Sequence, residues 1–268
     1  MQNVFLHNEV YQKIKTDGFY IGSLLTDKEV KQLRSSYIEL KNKLGHTFGK
    51  NFWPSGRYPD PEIRNFAKDA IEKVVPKALE KYIDTNNTRL IGGTFLIKPP
   101  SIKSALSPHQ DSSHVDERRT FSVYAWIPLQ NVNRWNGCFH YLPESHTWGI
   151  DQRSLNVNWP LKDKVEAMSK MMKPIKMKMG EVLFFHSALI HSSPPNYTFK
   201  TRVAINYYLH PKDHPFLHFY EDEKTPTGKV EMFEVNPSYF YDEDFEKRPS
   251  SKYKQLDIIE KSPYKIHL

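Results

Sequence analysis

From Leu90 onward the hydrophobic residues stop recurring at helical spacing and gather into short runs rich in β-branched and aromatic side chains. The runs are Leu90–Lys98, Thr120–Leu129, Cys138–Leu142, Gly180–His186 and Arg202–Leu209, and each reads as a β-strand. Pro99-Pro100, Asn136-Gly137 and Pro194-Pro195-Asn196 mark turns between them. Parallel neighbours need a long crossover, usually a helix, and most of these gaps hold none, which favours an antiparallel sandwich or barrel. A jelly roll fits the count and spacing. The exception is residues 150–178, a long insertion carrying Met168, Met171, Met172 and Met177. A helix packed on the barrel is expected there over an adaptable lid.

The N-terminal part, residues 1–89, reads as mainly helical. Thr26-Asp27-Lys28-Glu29 is a capping box, in which hydroxyl and carboxylate satisfy backbone N–H groups that a helix start leaves free. Val30, Leu33, Tyr37, Leu40 and Leu44 follow at three- and four-residue steps, with Gly45 as the stop. A second helix starts near Asp60-Pro61 and turns Ile63, Phe66, Ala67, Ala70, Ile71 and Val74 inward, with Pro76 interrupting or kinking it. Residues 211–268 hold ten Phe or Tyr side chains, too aromatic for a free tail, and are expected to pack on the core. The expected organisation is a single domain over 1–268: the helical part, a jelly-roll core over 90–210 with its insertion, and a C-terminal extension.

With 38% hydrophobic residues the chain has material for a buried core, which excludes wholesale disorder. No apolar run approaches the roughly 18 to 20 residues of a membrane span, and the start lacks the layout of a signal peptide, so a cytoplasmic protein is expected. Cys138 is the only cysteine, which excludes an intramolecular disulfide and Cys-rich zinc or iron–sulfur sites. Any metal must use His, Asp or Glu. The net charge of +7 is spread: residues 211–268 carry 9 basic and 12 acidic side chains, leaving +10 to residues 1–210. A solvated basic surface is expected over a nucleic-acid partner.

His109-Gln110-Asp111 puts an imidazole and a carboxylate two residues apart, on one face of an extended strand. His114-Val115-Asp116 repeats the spacing, so the motif needs company. His191 ends a strongly apolar strand, and Arg202 lies on the next strand eleven residues on, so a hairpin would bring the two together. Two histidines and one carboxylate on one face of a metal leave three positions open, as in non-haem Fe(II) oxygenases. Arg202 would pair bidentately with a carboxylate in the barrel. His186 is read as a core histidine, His140 and His146 as structural, and Trp135 and Trp148 as packing. His114, Asp116, Arg118 and Arg119 are read as a solvated loop at the barrel mouth.

These motifs together resemble the phytanoyl-CoA dioxygenase family of Fe(II)- and 2-oxoglutarate-dependent oxygenases. The matching residues are Pro108-His109-Gln110-Asp111, Ala125-Trp126-Ile127-Pro128-Leu129, Asn136-Gly137-Cys138, Leu142-Pro143-Glu144-Ser145-His146, Gly180 to His186, Leu189 to Asn196, and Arg202. Asp17-Gly18-Phe19-Tyr20 and Leu24 to Val30 are similar to its N-terminal signature, so the resemblance runs over roughly residues 8–210. It implies a mainly β, cupin-like double-stranded β-helix buttressed by N-terminal helices. It implies Fe(II) held by His109, Asp111 and His191, 2-oxoglutarate anchored by Arg202 and Ser193, and an aromatic residue, Trp126, beside the site. With O2 as oxidant, the implied reaction is hydroxylation of an unactivated C–H in a small-molecule or carrier-bound substrate, with succinate and CO2 released. Asp111 fills the position that the family's wider class of halogenases leaves to chloride. The Ser193-Pro194-Pro195 turn departs from the glycine of many members. Two other readings compete: a jelly-roll binding protein without redox chemistry, and a nucleic-acid demethylase.

Overall fold

The computed structural model describes residues 4–45, 49–222, 228–239, 243 and 247–264. Its frame is a six-stranded antiparallel sheet in the order β1 (Phe19–Ser23), β8 (Glu181–His186), β5 (Val123–Pro128), β10 (Arg202–Pro211), β3 (Thr88–Lys98) and β2 (Trp53–Pro54). A smaller antiparallel sheet runs β4 (Leu106–His109), β9 (His191–Ser193), β6 (Phe139–Tyr141) and β7 (Lys173–Ile175). The C-terminal extension adds a third sheet of β11 (Leu217–Tyr220), β12 (Lys229–Glu234) and β13 (Lys254–Glu260).

The central strands are apolar on both faces because both faces are covered. Val123, Ala125 and Ile127, Val182 and Phe184, and Val203, Ile205, Tyr207 and Leu209 point outward into one core. There they meet Leu33 and Leu40 of α2 (Asp27–Leu44), and Ile63, Ala67 and Ile71 of α3 (Pro61–Glu72). Burying each such side chain stabilises the fold by roughly 1.5–3 kcal/mol, so cutting Ile71 to alanine would cost about 2–5 kcal/mol. Gly93 lets helix and sheet approach: a Cβ there would come within 2.7 Å of Ile71 and 2.8 Å of Tyr207. The alternate residues Tyr124, Trp126, Leu183, Phe185, Ala204 and Tyr208 face the barrel interior with Cys138, Phe139 and Ile175. The two-residue period thereby also turns Lys98, Arg202 and Asn206 inward.

Thr26 and Glu29 form the expected capping box. The second helix ends at Glu72, and a separate short helix, α4 (Val75–Leu79), starts with Pro76 in its first turn. The sequence reading missed α1 (Asn8–Asp17), whose buried stripe is only Val10, Tyr11 and Ile14. The insertion forms the expected packed helix, the short α5 (Val165–Met171), within otherwise irregular chain. Its Met168 packs with Leu142, Trp148, Ile150, Leu161 and Ile190, and β7 and the buried Met177 join the strand framework. Phe216, Phe233 and Tyr239 of the extension pack into the interior core, whereas Phe240, Tyr241 and Phe245 lie outside the described residues. No helix among the described residues is long and apolar enough to cross a membrane.

Candidate metal centre

β4 and β9 pair antiparallel with His109 opposite His191, which brings the two rings to 4.3 Å between centroids. His109 Nδ1 donates to Ser107 O (2.8 Å) and His191 Nδ1 to Leu189 O (2.9 Å). A carbonyl only accepts, so each ring carries its proton on Nδ1 and presents the lone pair of Nε2. Burial, and then the neighbouring His109, pull the His191 pKa down to about 4, which keeps its imidazole neutral. Both Nε2 atoms face one carboxylate: His109 Nε2 lies 3.9 Å from Asp111 Oδ1, and His191 Nε2 lies 3.9 Å from Asp111 Oδ2. Asp111 Oδ2 is buried with no hydrogen-bond partner among the described residues, a costly state for a carboxylate oxygen that a cation would relieve. The three donor atoms lie within 4.8 Å of one another, as a 2-His-1-carboxylate metal site requires.

The competing His114-x-Asp116 pair separates. His114 is not part of a solvated loop: it is buried between Phe216 (5.0 Å) and Tyr208 (5.1 Å), and burial pushes its pKa down to about 3. Asp116 instead turns outward to Arg118 (2.7 Å) and Arg119 (3.5 Å). His186 stacks on Phe121 (4.5 Å) and accepts the Ala188 N–H at Nδ1 (3.0 Å). Trp148 is packed as expected, but Trp135 is not: it is exposed on a loop.

His191 and Arg202 do not form a hydrogen-bonded hairpin, because the turn between them crosses from the small sheet to the large one. They meet across the barrel instead, around a cavity of about 30 Å³ lined also by Leu106, Trp126, Phe139, Ser193 and Asn206. Arg202 is 1% exposed, lies 5.5 Å over Trp126, and faces no carboxylate among the described residues. Nη1 donates to Leu96 O (3.3 Å) while Nε has no partner. Burial lowers its pKa to about 9, so it stays charged at neutral pH. An uncompensated buried guanidinium costs several kcal/mol, and an incoming carboxylate would offset that cost. Lys98 is its cross-strand partner. Burial, and then Arg202, lower the Lys98 pKa to about 6; its nitrogen donates to Ser104 O and to Ser193 O (3.4 Å).

Sequence reading missed Lys98 and also Arg153, from the insertion. Arg153 Nε donates to the backbone O of Asp111 (2.9 Å), and its guanidinium forks onto the buried Glu117 (2.5 and 2.7 Å). Neither lies in a recognisable motif; only their charge within buried segments could have drawn notice. On the His109 side a cavity of about 1140 Å³ opens, with Gln110, Asn158, Trp159, Lys162, Glu221 and Arg248 in its walls.

The sequence model of the phytanoyl-CoA dioxygenase (PhyH) family matches residues 16–204, more than two thirds of the chain. The chain belongs to this family. Within the phytanoyl-CoA dioxygenase family it is similar to a phytanoyl-CoA dioxygenase of Arabidopsis thaliana, at 32% identity over 208 residues covering 71% of this chain and 73% of that protein. It is also similar to phytanoyl-CoA dioxygenase domain-containing protein 1 of Danio rerio, 24% identical over 137 residues, covering 48% of this chain and 47% of that one. The chain spans about half the length of the curated relatives it matches first. Among solved structures, HygX of Streptomyces hygroscopicus with nickel and 2-oxoglutarate bound shares the fold at a TM-score of 0.56 and 19% identity, over 77% of this chain and 88% of that one.

Proposed function

We propose that this member of the phytanoyl-CoA dioxygenase family is an Fe(II)- and 2-oxoglutarate-dependent oxygenase that hydroxylates a C–H bond of a small-molecule or carrier-bound substrate. The observation that carries the reading is the pairing of one donor set with one anion site. His109, Asp111 and His191 face one another with both Nε2 lone pairs turned to the shared space, beside a buried Arg202 that faces no carboxylate among the described residues. In this reading His109, Asp111 and His191 hold Fe(II), and Arg202 with the Ser193 hydroxyl takes the far carboxylate of 2-oxoglutarate while Trp126 packs against the guanidinium. Iron, 2-oxoglutarate and O2 together supply the oxidation: one oxygen atom enters the substrate C–H, the other enters succinate, and CO2 leaves. The apolar walls Leu106, Phe139 and Phe185 exclude water around the co-substrate. The Ser107 and Leu189 carbonyls fix the ligand tautomers.

The polar side chains around the larger cavity support a polar substrate over an extended acyl chain. An anaerobic titration tests the function. Fe(II) plus 2-oxoglutarate should give a weak metal-to-ligand absorption band, and admitting O2 should yield succinate. Absence of the band in folded protein would leave the jelly-roll binding protein as the better reading.

A further inference from the structure

The Pro194-Pro195 turn leads into a loop that the proposed chemistry does not use, and this loop is built with care. Asn196 is buried and staples it: Nδ2 donates to Lys98 O (3.0 Å) and Lys200 O (2.8 Å), and Oδ1 accepts from the Thr198 N–H (3.1 Å) and hydroxyl (2.7 Å). Yet the loop so ordered holds Phe199 100% exposed, with Tyr197 exposed beside it. Three further segments are laced to it. Ser101 N donates to Asn196 O (3.0 Å), bringing Ile102, which is 74% exposed. Tyr197 N donates to Trp135 O (2.8 Å), bringing Trp135 at 57% exposure. Val132 and Met177 exchange backbone hydrogen bonds (2.9 and 3.2 Å), which ties in the exposed Met179.

The charges around these side chains are mainly of one sign, the exception being Glu181 at the edge, whose carboxylate accepts the Lys178 N–H (2.7 Å). Lys103, Arg134, Lys176, Lys178 and Lys200 are all exposed, and residues 100–105, 131–137, 176–179 and 194–200 contain no Asp or Glu. The sequence scatters these cations over about a hundred positions, and the fold gathers them. Tryptophan and tyrosine prefer the headgroup level of a bilayer, aliphatic and phenyl side chains the acyl boundary beneath it, and lysines the anionic headgroups.

We propose that this face docks on an anionic lipid surface, with Ile102, Trp135, Tyr197 and Phe199 inserting and the five cations pairing with headgroups. A single-stranded nucleic acid fits less well, because bases stack on aromatic platforms and make no use of Ile102 or Met179. The docking stands independently of the oxygenase reading.

Vesicle flotation of the full chain tests it. Phosphatidylcholine vesicles containing roughly 30 mol% phosphatidylserine should carry the protein at ~0.1 M salt, and binding should weaken at least tenfold on phosphatidylcholine alone or at ~0.5 M salt. Trp135→Ser combined with Phe199→Ser should also lose tenfold or more at an unchanged melting temperature, since both side chains already face water. Lys103→Glu with Lys200→Glu should lose as much. If the serine pair melts early, Ile102→Ser with Met179→Ser reads the same contact. No flotation with the anionic vesicles, serine variants that bind like the wild type, or tighter binding to an oligothymidylate than to the vesicles would each overturn the proposal.

Discussion

Arg202 is charged, 1% exposed and without a carboxylate among the described residues, so its substitutions should separate co-substrate binding from metal binding. Arg202→Ala would leave a desolvated carboxylate unpaired, at a cost of about 3–5 kcal/mol, so 2-oxoglutarate affinity should fall by roughly two to four decades. Arg202→Lys should lose less, because a point charge replaces the fork. Ser193→Ala should lose roughly tenfold to thirtyfold, in line with one hydrogen bond to a charged group. Anaerobic titration should find Fe(II) affinity near wild type in all three and damaged in His191→Ala; equal loss of iron and 2-oxoglutarate in Arg202→Ala would displace the arginine from this role. The neighbouring Lys98 makes a second prediction. Its pKa is lowered from 10.5 to about 6 by burial and by Arg202, so between those values the unfolded chain binds the extra proton. Stability should therefore rise with pH across that window and be lost as pH falls toward 6. Lys98→Met keeps the stem that lies against Gly137 and removes the ammonium. It should flatten the pH slope in denaturant melts and stabilise the fold near neutral pH by a few kcal/mol. A variant as steeply pH-dependent as wild type would place the titration elsewhere.

Among the elements, α5 decides what the methionine-rich insertion does. Its own Met168 is fully buried while Met171 is 47% exposed, and Met172 Sδ accepts the Ser192 hydroxyl at 3.0 Å. Peroxide should oxidise Met171 readily and spare Met168, equally with and without 2-oxoglutarate and redox-inert Zn(II) in place of iron, as read by mass spectrometry. Protection of Met168 that appears only on ligand binding would make the segment a lid after all. The four long strands β3, β5, β8 and β10 were legible because their apolar runs are set by their own two covered faces, and α2 because it carries its capping box and its stripe in sequence. β4 and β9 were legible only in part: the sequence puts His109-Gln110-Asp111 on one extended strand and His191 at the end of the apolar one, but β4 stops at His109, leaving Asp111 beyond it, and His191 opens β9, separate from β8. β4 and β9 are three or four residues long and exist through their pairing, Leu106 with Ser193 and His109 with His191, which local pattern does not encode. The three proposed ligands were named from their motifs and the resemblance, while the crossing between sheets that brings His191 opposite Arg202 could not be read from local pattern.

At the scale of the whole molecule, the centre depends on segments far apart in sequence being held together, and one buried ion pair does much of this. Glu117 lies between the ligand strand and β5, Arg153 in the insertion, and Ser187 just past β8; all three converge, with the Ser187 hydroxyl donating to Glu117 and Arg153 reaching Asp111 O. Both charged side chains are less than a twentieth exposed. Such a pair adds little stability over an apolar replacement, but removing one partner strands the other charge. Glu117→Leu or Arg153→Met alone should thus cost about 3–5 kcal/mol in denaturant unfolding, and the double variant should recover most of that loss. Iron binding should not recover with it. The Arg153 Nε hydrogen bond to the Asp111 carbonyl is absent in the double variant, so the carboxylate loses a support for its orientation, and Fe(II) affinity should fall about 10- to 100-fold although the fold is restored. Conservative Arg153→Lys should fare between the two, keeping the charge but not the fork. A double variant that regained stability and iron affinity together would show that the pair only holds segments in place, whereas iron loss without regained stability would leave its two roles inseparable.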